Sequence, residues 1–100
     1  MKLRNPFSQQ TRQLFEECHE CWWCGMNQPD AIHHILGRVS TSPLNCAPIH
    51  NLKCHIGNAR LDGYEERCRQ LQKTLNYLQS NGYRLTEEDE AFIEKYQQYY

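Results

Sequence analysis

The chain has no long apolar run. Its 100 residues are 39% hydrophobic, and nowhere do apolar residues approach the roughly 18 in a row that a membrane-crossing helix requires, so a membrane span is excluded. The opening residues, Met1-Lys2-Leu3-Arg4-Asn5-Pro6, lack the apolar stretch of a secretion signal, and an intracellular, cytoplasmic setting is expected. A surplus of either charge is missing too. The net charge is −1 and the pI is near 6.5, without the basic balance of a bulk nucleic-acid binder. No internal repeat and no low-complexity linker divides the sequence, so one domain over residues 1–100 is expected.

What the chain does have is six Cys and five His. All of the His and five of the Cys lie between Cys18 and His55. Thiols in a chain without an export signal point to metal ligation before disulfides. The charges also divide unevenly. Residues 1–60 carry a balance of +2 and residues 61–100 a balance of −3, which puts any phosphate-facing surface in the first part.

The pattern predicts an α+β domain. Ser8 can cap a helix over 8–18 that carries Thr11, Leu14, Phe15 and Cys18 near helical spacing. Gly25, Pro29, Gly37, Pro43 and Pro48 then break the middle into short pieces. Ile32–Leu36 and Ala47–Ile49 read as two strands of a hairpin, with a short helix from about Leu52 to Leu61 ending at Asp62-Gly63. Residues 64–100 read as a helical hairpin. Tyr64, Cys68, Leu71, Leu75 and Leu78 form an amphipathic stripe stopped by Asn81-Gly82. Thr86 with Asp89 opens a second helix bearing Phe92, Ile93, Tyr96 and Tyr100.

Cys21-Trp22-Trp23-Cys24-Gly25 is a knuckle of two thiols with a Gly that permits the tight turn. His50 and Cys54, with three residues between them, complete a tetrahedral structural zinc site on spacing. Cys46 is the other candidate for the fourth ligand, and Cys18-x₂-Cys21 is formally an alternative knuckle. Cys18 continues the Leu14 stripe, which favours a core thiol there and on the helical Cys68. Trp22 and Trp23 read as core or capping residues over the zinc. The module between the helices has few large apolar residues (Ile32, Ile35, Leu36, Leu44, Ile49, Leu52), so a bound metal is expected to supply folding energy that burial does not.

His33, His34, Asn45 and His55 remain. Neighbouring His residues on a strand point to opposite faces, so one can bind a metal while the other is turned to a water. The ordered set of Cys21-x₂-Cys24-Gly25, Ala31-Ile32-His33-His34-Ile35, Leu44-Asn45 and Cys54-His55 resembles the His-Asn-His (HNH) nucleases, over about residues 18–61. The resemblance implies a ββα-metal fold with a zinc knuckle over 21–62 and a metal-dependent DNA endonuclease activity. His34 matches the general base of the family. His33 and His55 match the ligands of one catalytic divalent cation (Mg²⁺, Mn²⁺, Ni²⁺ or Zn²⁺). Asn45 matches the Asn that braces the loop and orients the base. Asn58 is a candidate further ligand, and Arg38, Lys53 and Arg60 are candidate contacts to DNA phosphates.

In place of the C-x₂-C-His with which relatives usually close, this chain has His50-x₃-Cys54-His55, so His50 is a zinc ligand on spacing alone or a member of the catalytic group. Small proteins of this kind occur in phages and bacterial mobile elements, which the resemblance therefore suggests as a source. The competing reading is a non-catalytic zinc module that binds nucleic acid or protein. Tyr96, Tyr99 and Tyr100 offer the C-terminal helices as a homodimer or partner surface, against packing back on the Tyr64–Leu78 stripe and Phe7–Phe15.

Overall fold

A computed structural model describes residues 7–100. Its centre is an antiparallel pair of four-residue strands, β1 (Ala31–His34) and β2 (Cys46–Ile49). They pair Ala31 with Ile49, Ile32 with Pro48, His33 with Ala47 and His34 with Cys46. Every residue of β2 is buried, so the sheet is a wall of the core with one edge left to β1. Pro48 has no N–H for the ladder, but its carbonyl accepts from the Trp22 N–H at 2.8 Å and ties the knuckle to the strand.

The architecture is α+β, with helices around this pair. Helix α1 (Gln9–Gln13) starts where expected, with Ser8 Oγ accepting from the Thr11 N–H at 3.1 Å. It is shorter than the sequence suggested. From Leu14 to Cys18 the backbone continues in three-residue turns, a spacing that brings Phe15 and Cys18 to the same side, and both are buried.

The expected helix from Leu52 to Leu61 is replaced by two pieces. Asn51–His55 forms a π-turn and Ala59–Asp62 a 3₁₀ turn. Between them Ile56 is extended and Gly57 has φ +74°, a left-handed conformation that a helix cannot pass through. Asn58 then caps the 3₁₀ turn by accepting from the Arg60 N–H. Leu52, expected among the core residues, is 80% exposed.

Helix α2 (Tyr64–Ser80) is the long support. Leu71 and Leu78 of its stripe are buried, and each contributes about 1.5–3 kcal/mol by leaving water. Cys68 and Leu75 are only half-buried and Tyr64 is exposed, because polar residues take part of the packed face. Thr74 accepts from Trp22 Nε1 at 2.8 Å and donates to the Cys46 carbonyl at 2.6 Å. Arg69 Nη2 donates to the Trp22 carbonyl at 2.5 Å. Helix, knuckle and β2 are therefore joined through satisfied polar groups.

Helix α3 (Glu87–Lys95) opens with a full capping box, Thr86 and Asp89 each accepting from the other's backbone N–H. Asp89 is buried, and its carboxylate also accepts from Ser42 Oγ at 2.7 Å and Tyr83 OH at 2.5 Å. Tyr96 and Tyr99 pack back on the domain. Tyr99 lies 5.4 Å from the Tyr64 ring and Tyr96 4.9 Å from Phe92. No helix among the described residues is long and apolar enough to cross a membrane.

Asp89→Ala is expected to destabilise the domain by about 2–4 kcal/mol, because Ser42 and Tyr83 lose their acceptor and α3 its box. Urea unfolding of the two proteins measures it; a loss under 1 kcal/mol, about what a helix cap alone is worth, would contradict the buried-hub role.

Candidate metal centre and adjoining cleft

Cys21, Cys24, His50 and Cys54 converge, with all four ligand atoms within 4.8 Å of one another. The sulfurs of Cys21 and Cys54 are 3.7 Å apart, and His50 Nδ1 lies 3.4 Å from Cys24 Sγ and 3.6 Å from Cys54 Sγ. A tetrahedral zinc with Zn–S near 2.3 Å and Zn–N near 2.0 Å requires edges of about 3.8 Å and 3.5 Å. The four side chains fit one zinc ion. Every cysteine is a free thiol, and the 3.7 Å sulfur separation is far beyond a disulfide bond of about 2.05 Å.

Local structure builds this geometry from both sides. In the knuckle the Gly25 N–H reaches back to the Cys21 carbonyl at 2.9 Å, and the Cys24 N–H lies 3.5 Å from Cys21 Sγ. Gly25 takes the φ of +75° that the turn needs. Burial disfavours the Cys21 thiolate, but hydrogen bonds from Cys24, His50 and Trp23 outweigh it and bring its pKa down to about 7. Cys54 is pushed up to about 12, by burial first and then by the other two thiols, the mutual repulsion that a bound cation relieves. His50 Nε2 lies 2.9 Å from the Asn27 carbonyl. With the proton on Nε2, Nδ1 is left free for a metal.

The alternatives for the fourth ligand separate clearly. Cys46 stands on β2 and is fully buried, with its thiol pKa raised by burial. Cys18 is a core thiol that donates to the Glu20 carbonyl at 3.4 Å. Neither belongs to the cluster. Trp22 is buried, and Trp23 packs at the core margin.

The π-turn that supplies Cys54 also supplies His55, whose ring centroid is 4.8 Å from that of His33. His33 is 8% exposed, and its Nε2 has no hydrogen-bond partner. A buried, unpaired imidazole nitrogen costs stability and asks for a reason. Burial and then the His55 charge lower the His33 pKa to about 4, against an upward pull from Asp62. The imidazole is thus held neutral, the form that binds metal.

His34 points to the other face of β1, where its ring stacks on Phe7 at 4.0 Å and 12°. It lines an open cleft of about 410 Å³ together with Arg12, Asp30, Arg38, Asn51 and His55. His55 therefore belongs to both faces, near His33 and in the cleft with His34. Asn45 is fully buried. Its Oδ1 accepts from the Leu36 N–H at 2.8 Å, and its Nδ2 donates to the carbonyls of Gly37 and Ser40 at 3.0 and 3.2 Å. It braces the loop that leaves His34 and carries Arg38.

The other candidates are dispersed. Lys53 Nζ lies 3.2 Å from Met26 Sδ on the knuckle side. Arg60 borders a separate depression with Trp23 and Tyr64. Asn58 is committed to local structure, with Nδ2 donating to the Cys54 carbonyl at 2.8 Å and Oδ1 accepting from the Arg60 N–H at 3.2 Å. Sequence reasoning missed Arg12, which comes from α1 to the cleft, and Asp30 and Asn51, whose link is a 2.7 Å bond from the Asn51 N–H to Asp30 Oδ1. The only prior signal for Arg12 was that it is one of the few cations of the first part.

Elemental analysis is expected to find one zinc per chain in the wild type and in Cys46→Ser, and none in Cys21→Ser or Cys24→Ser. The latter two should lose the cooperative unfolding transition, as should the wild type after chelation. The depressed His33 pKa carries a second expectation. An unfolded His titrates near 6.5, so between about pH 6.5 and 4 the unfolded chain binds the His33 proton more readily and stability rises with pH. From pH 7 to pH 5 the zinc-loaded wild type should lose about 2 kcal/mol more than His33→Gln in urea unfolding. Equal losses would show that His33 is not held neutral.

Comparison of the chain with protein-family models, with curated proteins and with solved structures returns no match, so its function is read from the chemistry of these residues.

Proposed function

We propose that the chain is a metal-dependent DNA endonuclease of the His-Asn-His type, built on a ββα-metal module stiffened by a structural zinc. One observation carries the reading. The buried His33 leaves Nε2 unpartnered beside His55, and His55 also lines the cleft that holds His34 and two arginines. A zinc module without catalysis needs its four ligands and has no use for a second pair of converging imidazoles.

In this reading His33 and His55 hold one divalent ion, which when bound supplies Lewis-acid polarisation of a phosphoryl oxygen and charge neutralisation at the leaving oxygen. The rest falls to side chains. His34 accepts a proton from water as the water oxygen forms its bond to phosphorus, and the bond from phosphorus to the 3′-oxygen breaks. Phe7, flat against His34, limits the ring to one plane. Asn45 fixes the loop after it. Arg12 and Arg38 bring positive charge to the phosphate in the same cleft. Imidazole ligands favour Mn²⁺, Ni²⁺ or Zn²⁺ over Mg²⁺.

The test is nicking of supercoiled plasmid by zinc-loaded protein with each of Mg²⁺, Mn²⁺, Ni²⁺ and Zn²⁺. His34→Ala should fold, keep its structural zinc and lose at least about 10²-fold in rate. His33→Ala and His55→Ala should need a higher metal concentration. Arg12→Ala should cut about tenfold more slowly at low salt, with the deficit fading as salt screens the cleft. Cleavage by His34→Ala at the wild-type rate would falsify the assignment of the base. A folded, zinc-loaded wild type that leaves the plasmid intact with all four ions would return the chain to the class of non-catalytic zinc modules.

A further inference from the structure

The ring of His55 is 4.8 Å from that of His33, whose buried Nε2 has no partner. A neutral imidazole carries one proton on either of its two ring nitrogens, and only the bare nitrogen can take a metal. Which nitrogen His55 leaves bare therefore decides whether it can serve beside His33.

Asn51 stands at the other end of the same π-turn, and its Oδ1 lies 3.4 Å from His55 Nδ1. An amide oxygen only accepts, so this contact puts the His55 proton on Nδ1 and leaves Nε2 bare. Asn51 is itself pinned along its backbone. Its N–H donates to Asp30 Oδ1 at 2.7 Å, and its carbonyl accepts from the Ile56 N–H at 3.0 Å. Asp30, Asn51 and His55 all line the cleft that holds His34.

His50, directly before the turn, takes the opposite tautomer. Its Nε2 faces the Asn27 carbonyl at 2.9 Å, and Nδ1 is left to the cluster with Cys21, Cys24 and Cys54. There the acceptor is a main-chain carbonyl, which any residue at position 27 would supply. At His55 the acceptor is a side chain, so the choice of tautomer depends on what residue 51 is. The unpartnered nitrogen of His33 is also Nε2. With Asn51 in place the two rings leave the same nitrogen bare.

We propose that Asn51 is a positioning residue of the endonuclease site: its side-chain carbonyl holds the His55 proton on Nδ1 and reserves Nε2 for the divalent ion shared with His33. The proposal rests on the endonuclease reading for the role of that ion, and it adds a residue that acts through His55. Without an acceptor at Nδ1 the proton is free to settle on Nε2, and a metal must then displace it. Outer partners of this kind are worth about 10–100-fold in metal affinity. Asn51→Asp keeps the acceptor, whereas Asn51→Leu keeps the size and removes it.

The test uses zinc-loaded protein without DNA. Long-range ¹H–¹⁵N NMR of the imidazoles at about pH 8, where an ordinary His is neutral, reads the tautomer of each ring, and His55→Gln identifies the His55 signals. Wild type and Asn51→Asp should show His55 protonated on Nδ1. In Asn51→Leu the proton should move to Nε2, while His50 keeps its own on Nε2 and zinc content confirms the fold. Mn²⁺ titration followed by water-proton relaxation should give a Kd raised about 10–100-fold in Asn51→Leu and not raised in Asn51→Asp. A wild-type His55 protonated on Nε2 overturns the proposal, and that result does not depend on how any variant folds. So does a tautomer that Asn51→Leu leaves unchanged, or equal Mn²⁺ affinity in wild type and Asn51→Leu. A tautomer switch with weakened Mn²⁺ binding, in a protein that nicks no plasmid, keeps Asn51 as the positioning residue of a metal site and removes the endonuclease. Nicking by a wild type whose Mn²⁺ affinity Asn51→Leu does not change does the reverse.

Discussion

The convergence of three thiols and one imidazole from segments some thirty residues apart is the constraint on which the rest of the domain depends. Cys21 and Cys24 belong to the knuckle, and His50 and Cys54 to a π-turn that follows β2. Between them runs the whole hairpin with its loop, only four residues to a strand. Two such strands are not stable by themselves in water. One cation held by the four side chains would draw their flanks together and replace the apolar area that the segment lacks, and α2 closes the other side through Trp22, Thr74 and Leu71.

The same constraint explains why the cleft can be so polar. A buried imidazole with an unpaired nitrogen and an open pocket lined by Arg12, Arg38 and two histidines all work against folding. They are tolerated because their backbones are fixed elsewhere. His55 is the neighbour of a metal ligand. His34 lies on a strand whose partner is wholly buried, and Asn45 makes three side-chain hydrogen bonds to the loop that follows. Rigidity is supplied by groups outside the cleft, which leaves the side chains that line it free of that task.

Much of this was legible in the chain because the relevant signals are local. The knuckle with its Gly, the Ser8 cap, the capping box from Thr86 to Asp89 and the stop at Asn81-Gly82 each depend on a few consecutive residues. The opposition of His33 and His34 follows from strand alternation alone. What failed did so where a distant group decides the outcome. The helix expected after β2 yields to a π-turn that brings His50 and Cys54 to Cys21 and Cys24, and Gly57 ends it. Cys68 and Tyr64 match a helical stripe, yet Gln70 and Thr74 take its place against the module because each finds a partner there. Arg12 reaches the cleft from α1, a placement that no spacing within the sequence expresses.

The near-neutral net charge, met first, is an average over parts that differ. The twelve acids are absent from Ala31 to Leu61, and this is the stretch that carries both strands, the cleft histidines and the exposed Leu52 and Ile56. The acids concentrate on α2 and α3, where Glu87, Glu88, Asp89 and Glu90 suit the first turn of a helix by completing its dipole. Those helices support the module from behind, and their negative charge lies on elements that do not line the cleft. Fields fall off over roughly 8–10 Å at physiological salt, so an anion approaching the hairpin responds to Arg12, Arg38 and Asp30 in the cleft and hardly to the total. A domain of this size can thus remain close to neutral and still keep one long stretch of its chain free of acids.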